Sequence, residues 1–195
     1  LIMRFFDVTS GRILLKNQDI RAIKQKELRA HISYVPQTAW LFSGTIEENL
    51  KYGKENATES ELNKALQIAQ SEFVKDLDKG IKSDVSQGGK NFSGGQKQRL
   101  SIARAMNKNA DLYIFDDSFS ALDFKTDSNL RKALAKEMKD SAVLIIAQRI
   151  NTAKNADKIL VLDKTKIVGF GTHDELIKTN EVYKEIYNSQ MEVTE

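Results

Sequence analysis

Apolar residues recur along this chain in two rhythms. Short runs dominated by large apolar side chains stand at Ile32–Val35, Leu112–Phe115, Val143–Ala147, Ile159–Leu162 and Ile167–Phe170. Such runs, bounded by polar residues, read as strands. Leu112–Phe115 and Val143–Ala147 show no alternation, the pattern of strands buried on both faces. Arg12–Leu15 reads as a further strand before an Asn17-Gln18-Asp19 turn, and Asp163-Lys164-Thr165-Lys166 is the polar turn of a final hairpin. Elsewhere apolar residues return every three or four positions. Leu62, Ala65, Leu66 and Ala69 form the stripe of a helix over Thr58–Ala69, and Leu100, Ile102, Ala103 and Ala105 form that of a second. Lys26–Ala30, a segment around Phe73, Val74 and Leu77, Leu130–Met138, Thr172–Lys178 and Tyr183–Gln190 complete the helical set. Thr45 with Glu48, Thr58 with Glu61, and Thr172 with Glu175 fit capping boxes at three helix starts. In the second helix, Lys97, Gln98, Arg99 and Arg104 are expected on the polar side.

Composition narrows the picture. The chain has 195 residues, 41% of them hydrophobic, enough for one substantial core. Thirty Lys and Arg against 27 Asp and Glu leave a net charge of +3 with the signs interspersed, which argues against a nucleic-acid partner. There is no cysteine, so disulfides are excluded. The apolar runs are too short to span a bilayer, and no signal peptide is visible. His31 and His173 are expected to be structural. Trp40, Leu41 and Phe42 are consecutive large apolar residues that fit either the core or a partner surface.

Two stretches carry chemistry. Phe92-Ser93-Gly94-Gly95-Gln96 opens a helix with a hydroxyl, free backbone N–H groups and no Cβ at two positions, a suitable seat for an anion. Leu112-Tyr113-Ile114-Phe115 then delivers Asp116 and Asp117 at a strand's C-terminal end, where open α/β sheets bind ligands, and Ser120-Ala121-Leu122-Asp123 follows.

Together these stretches resemble the ATP-binding cassette (ABC) family: Phe92–Gln96 its signature motif, with Phe for the commoner Leu, Leu112–Asp116 its Walker B strand, and Ser120–Asp123 its D-loop. Gln37, after Tyr34-Val35-Pro36, resembles the Q-loop glutamine, and Leu41–Leu50 is similar to exporter-type cassettes. The resemblance implies an α/β fold. Its P-loop-NTPase-like core, a mostly parallel sheet with flanking helices, would comprise residues 1–44 and 108–195. A helical subdomain, residues 45–107, would end in the signature helix. It implies ATP and Mg²⁺ as ligands, with Gln37 and Asp116 at the metal and Asp117 and Gln148 at the catalytic positions. Phe92, Ser93, Gly94, Gly95, Gln96 and Asp123 would face the ATP of a second cassette in a head-to-tail dimer. It further implies contact with transmembrane coupling helices and a place at the cytoplasmic face of the cell membrane. The phosphate-binding pattern Gly-x-x-x-x-Gly-Lys-Ser/Thr does not occur in the chain. The chain is therefore expected to be a fragment beginning just after that loop, without the N-terminal β-subdomain, and inactive alone. The helix that follows the loop in the family would occupy the segment before Asp7.

Two residues depart from the family pattern. Asp117 stands where the family has a Glu that polarises the attacking water; one missing methylene retracts the carboxylate by roughly 1 Å, a displacement that can cost on the order of 100-fold. Gln148 stands where the family has a His that contacts the γ-phosphate, and an amide neither titrates nor carries charge. Both together resemble the degenerate-site subunit of a heterodimeric exporter. The alternatives are a non-hydrolysing regulatory cassette and a soluble ABC protein acting on nucleic acid or ribosomes; the exporter-like run and the absence of a basic cluster disfavour the latter.

Overall fold

A computed structural model describes residues 1–191, which form two compact units, Leu1–Leu144 and a second that begins at Ile145. In the first, β1 (Leu14–Leu15) and β2 (Gln18–Asp19) form a small antiparallel hairpin. Lys16 and Asn17 turn it with φ of 49° and 66°. Next come α1 (Gln25–Ala30), β3 (Ile32–Val35), β4 (Gly44–Thr45), α2 (Ile46–Lys51) and α3 (Glu59–Ile68). The Phe73 segment is a 3₁₀ turn over Glu72–Asp76. β5 (Asp84–Val85), α4 (Gly94–Met106), β6 (Leu112–Asp116), α5 (Phe124–Glu137) and β7 (Ala142–Ile146) follow. β3 runs parallel to β6 from Ile32 opposite Leu112 to Val35 opposite Phe115, and the sheet order is β3-β6-β7.

The core follows the apolar rhythm. Val35 and Phe115 are buried, as are Leu100, Ile102 and Ala103 of α4 and Leu62, Ala65 and Leu66 of α3, while Ile32 and Ile114 cluster with Ile20, Ile23 and Leu28. Each buried Leu or Ile contributes about 1.5–3 kcal/mol relative to exposure. Capping boxes at Thr45–Glu48 and Thr58–Glu61 start α2 and α3. Thus β3 and β6 end side by side at Val35 and Asp116, with the head of α4 in the same unit.

In the second unit are α6 (Ile150–Ala153), the antiparallel hairpin of β8 (Ile159–Asp163) and β9 (Lys166–Gly171), α7 (His173–Thr179) and α8 (Glu181–Met191). Its core gathers Ile150, Ile159, Val161, Leu176 and Tyr183. Thr172 and Glu175 cap α7 reciprocally. His31 pairs through Nδ1 with Asp111 Oδ2 at 2.5 Å, and His173 through Nδ1 with the Tyr183 hydroxyl at 2.9 Å.

Four expectations are corrected. Leu1–Asp7 makes turns rather than helix, Arg4 N–H bonding to the Leu1 carbonyl; so short a segment recovers too few hydrogen bonds to offset nucleation. β7 is a strand but not a buried one: Val143, Leu144 and Ile146 are 40%, 39% and 44% exposed, because β7 is the edge strand of its sheet and is only partly covered. The helix read from Leu130 starts earlier, at Phe124, with Asp123 as its N-cap. Gln98 is 2% exposed and lies inside α4's packing rather than on its polar side.

Candidate functional site

The head of α4 is self-contained. Ser93 is the N-cap; its Oγ accepts the Gln96 N–H (3.2 Å), and the Gln96 Oε1 accepts the Ser93 N–H (2.9 Å). The first intrahelical bond joins Lys97 N–H to the Ser93 carbonyl, so the N–H groups of Gly94 and Gly95 lie ahead of the helical ladder. They aim positive potential outward. A Cβ on Gly95 would meet the Ala121 carbonyl at 3.4 Å, whereas a Cβ on Gly94 would meet nothing within 4 Å. Phe92 is buried edge-on against Phe73 (6.2 Å between centroids), whose ring also carries the Arg99 guanidinium at 4.9 Å. The Phe for Leu replacement therefore has an aromatic partner.

The end of β6 is assembled from distant parts. Tyr34 on β3 donates its hydroxyl to Asp116 Oδ2 (3.0 Å), and Gln37 donates Nε2 to Asp117 Oδ2 (3.2 Å). Burial first, then the Asp116 carboxylate, raises the Tyr34 hydroxyl's pKa, so it stays a donor near neutrality. Asp117 has φ of 43°, in the left-handed region that Asp tolerates and β-branched residues do not. Ser118 anchors the turn from within: it is buried, and its Oγ donates to the Val35 carbonyl (3.0 Å). Ser120 Oγ donates to the Asp117 carbonyl (2.9 Å).

Gln37, Asp116 and Asp117 thus come together, and Gly95 touches the Ser120–Asp123 turn. Asp123 accepts the Thr126 N–H (2.9 Å) as the cap of α5, which lowers its pKa through the Thr126 backbone bond first. Gln148 belongs to the second unit, where its carbonyl accepts from Gln190 Nε2 (2.8 Å). Among the described residues no three His, Cys, Asp or Glu cluster as a metal cage. Mg²⁺ needs no cage: one or two carboxylates with substrate phosphates suffice, and the donor set of Asp116 and Gln37 fits that requirement.

Sequence reasoning missed the polar side chains of α4 that hold main-chain carbonyls of surrounding loops. Gln98 reaches Pro36, Arg99 reaches Gln70, Arg104 reaches Trp40, and Asn107 reaches Leu50, at 3.3, 2.5, 3.0 and 3.0 Å. A Gln or Asn inside an apolar stripe was the available signal. The apolar run Trp40–Phe42 divides: Leu41 is fully buried, while Trp40 and Phe42 are 51% and 44% exposed. Phe42 packs at a tilt against the exposed Tyr52 (4.7 Å between centroids), and Trp40 lies over Gly88, whose φ of 71° and lack of Cβ make room for the ring.

A family profile described as ABC transporter matches residues 1–120. An uncharacterized ABC transporter ATP-binding protein of Mycobacterium bovis is 42% identical over 97% of this chain and 33% of its own length. A putative multidrug export ATP-binding/permease protein of Bacillus subtilis, YgaD, is 41% identical over 97% of this chain and 33% of its length. The solved structure of a bacterial Atm1-family ABC exporter with ATP bound superposes with a TM-score of 0.94 at 35% identity, covering 97% of this chain and 34% of that one. The chain therefore spans about a third of the length of these relatives.

Proposed function

This chain belongs to the ABC transporter family, and we propose that it serves as part of the ATP-binding domain of an exporter, coupling ATP binding and hydrolysis to transport. The observation that carries the reading is Gly94. It opens α4, where an added Cβ would meet no described atom within 4 Å, so packing within the fold does not call for glycine there and the bare backbone suits something approaching from outside. An ATP phosphate held by a second cassette fits the exposed N–H groups, the Ser93 hydroxyl and the helix dipole. That partner contact would use Phe92, Ser93, Gly94, Gly95, Gln96 and Asp123, in a dimer that we read as head-to-tail and heteromeric.

On the chain's own side, Asp116 with Gln37 would hold Mg²⁺, which neutralises phosphate charge when bound. Asp117 would orient the attacking water and accept its proton, held by Gln37, and Gln148 would approach the γ-phosphate as a neutral donor. The shortened carboxylate and the missing imidazole favour a site that binds ATP and turns it over slowly. Residues 45–107 would form a helical subdomain against a core of 1–44 and 108–195. The exposed Trp40, Phe42 and Tyr52 rings would receive a coupling helix at the cytoplasmic membrane face.

The test is steady-state Mg-ATP hydrolysis by the assembled transporter in vesicles. Ser93→Arg should lower it by about 100-fold or more, since a bulky cation blocks the phosphate seat, while Asp117→Ala should have at most a few-fold effect. Equal loss from both would mean that Asp117 serves the working site and the asymmetric reading is wrong. A rate indifferent to Ser93 would favour a regulatory cassette.

A further inference from the structure

Gln37 follows two consecutive main-chain carbonyls with different owners. The Val35 carbonyl is held by Ser118, two residues beyond the Asp116 strand end; the Pro36 carbonyl is held by Gln98 of α4 at 3.3 Å. Pro36 has no N–H and a fixed φ, so its carbonyl is its only main-chain hydrogen-bonding group, and its orientation sets the direction in which Gln37 leaves. Gln37 in turn holds Asp117 at 3.2 Å. Gln98 is 2% exposed, packed within the same continuous helix that Ser93 caps.

We propose that Gln98 is a positioning residue that ties the Ser93 end of α4 to the Gln37–Asp117 pair, so that nucleotide at one ATP site is felt at the other. The inference rests on the reading that α4 and Asp117 face two different nucleotides. A small shift of α4 moves Pro36 against Val35, which Ser118 holds still, and re-aims Gln37. Run in reverse, an ATP that captures Gln37 pulls Pro36 and, through Gln98, the helix that presents Ser93 to the partner's phosphate. Arg99, Arg104 and Asn107 also grip loop carbonyls, but those carbonyls belong to Gln70, Trp40 and Leu50, none of them adjoining Gln37 in the chain.

The test pairs Gln98→Met, which keeps the length and loses the donor, with Gln98→Leu, which is shorter and also loses the donor; the second serves if the first does not fold. In the chain itself, ¹⁵N relaxation of the Gln37 side-chain amide is expected to fall from the rigid range to an order parameter below about 0.6. The backbone amides of Ser93–Gln96 should stay unchanged. A Gln37 amide as rigid as in the wild type overturns the proposal. In the assembled transporter, Gln98→Met and Gln37→Ala are each expected to lower kcat for Mg-ATP about tenfold at unchanged KM, because both cut the Gln37–Pro36–Gln98 link that draws Ser93 to the partner's phosphate, a link that Asp117→Ala leaves in place; the loss stays below the ~100-fold that about 1 Å of misplacement costs. The double variant should be no worse than either single one. Independent, multiplying losses overturn it, because a merely structural Gln98 would weaken the enzyme without sharing its effect with Gln37. If the wild-type assembly does not hydrolyse Mg-ATP, the ATPase reading fails, and the relaxation measurement still decides whether Gln98 holds Gln37.

Discussion

At the head of α4, Ser93 and Gln96 satisfy each other across three residues of sequence; at the end of β6, Asp116 and Asp117 are held by Tyr34 and Gln37, which lie 82 and 80 residues away. One end is a local motif that any helix start could adopt. The other exists only when β3 and β6 are already paired in register. The local end therefore forms with its helix and presents N–H groups to an outside ligand without help. The assembled end depends on the loops that feed it, and can be changed by anything that moves those loops. A site meant to be read by a partner gains from the first construction, and a site meant to respond to its own surroundings from the second.

The largest effect expected from this contrast is at Gly94. Gly94→Val should leave the unfolding free energy within about 0.5 kcal/mol of wild type, because Gly and Val differ little in helix propensity and a Cβ there meets no described atom within 4 Å. Hydrolysis by the assembled transporter should fall by about 100-fold, as a branched side chain holds a phosphate off the N–H groups. Thermal unfolding and ATPase rates on the same preparations check it. A variant that loses stability instead would show that α4's head is supported by the fold, as β6's end is, and the contrast would collapse.

A smaller effect separates the two ends by stability alone. Ser118→Ala should cost about 1–3 kcal/mol, since it leaves the Val35 carbonyl without the buried hydroxyl that satisfies it. Gln96→Ala removes only the outer half of a surface capping box and should cost about 0.5–1 kcal/mol. Urea unfolding of both variants measures the difference, and equal costs would mean that the assembled end carries no more of the fold than the local one.

How much of this was legible in the sequence follows the same division. The capping boxes at Thr45, Thr58 and Thr172, the span Ile32–Val35 and the stripe of Leu62, Ala65, Leu66 and Ala69 are local, and the structure keeps each where the pattern put it. The burial of Gln98 was not legible, because it depends on a carbonyl 62 residues away, nor was the exposure of Val143, Leu144 and Ile146, because an apolar run states a preference and only packing neighbours fulfil it. Of the candidate site, Ser93–Gln96 was readable as a helix start and Asp116–Asp117 as a strand end. That Tyr34 and Gln37 close on those carboxylates required the parallel register of β3 and β6. That Asp123 also caps a helix was not readable, because the first turn of α5 carries no apolar stripe: its buried residue there is Asp127, paired with Arg131 at 2.9 Å.

The smallest effect concerns that Asp123, which lies in the stretch assigned to the assembled end yet is built like the local one. Its carboxylate caps α5 by accepting the Thr126 N–H, and that bond, ahead of the Thr126 side chain, lowers its pKa below the ordinary 3.8. A folded-state pKa below the unfolded value means that the unfolded chain binds more protons in the interval between them, so stability rises with pH there. The cap's charge-assisted contribution is therefore fully present above about pH 4 and is lost as the pH falls through the lowered folded value. Asp123→Asn keeps a capping oxygen and removes the titration. Its stability should run slightly below that of the wild type and parallel to it from about pH 7 to pH 4, and the two should converge below that, in thermal unfolding followed by circular dichroism. Curves that stay parallel to about pH 2 would mean that the carboxylate charge contributes nothing to the cap, and that Asp123 answers, as Asp117 does, to groups outside its own helix.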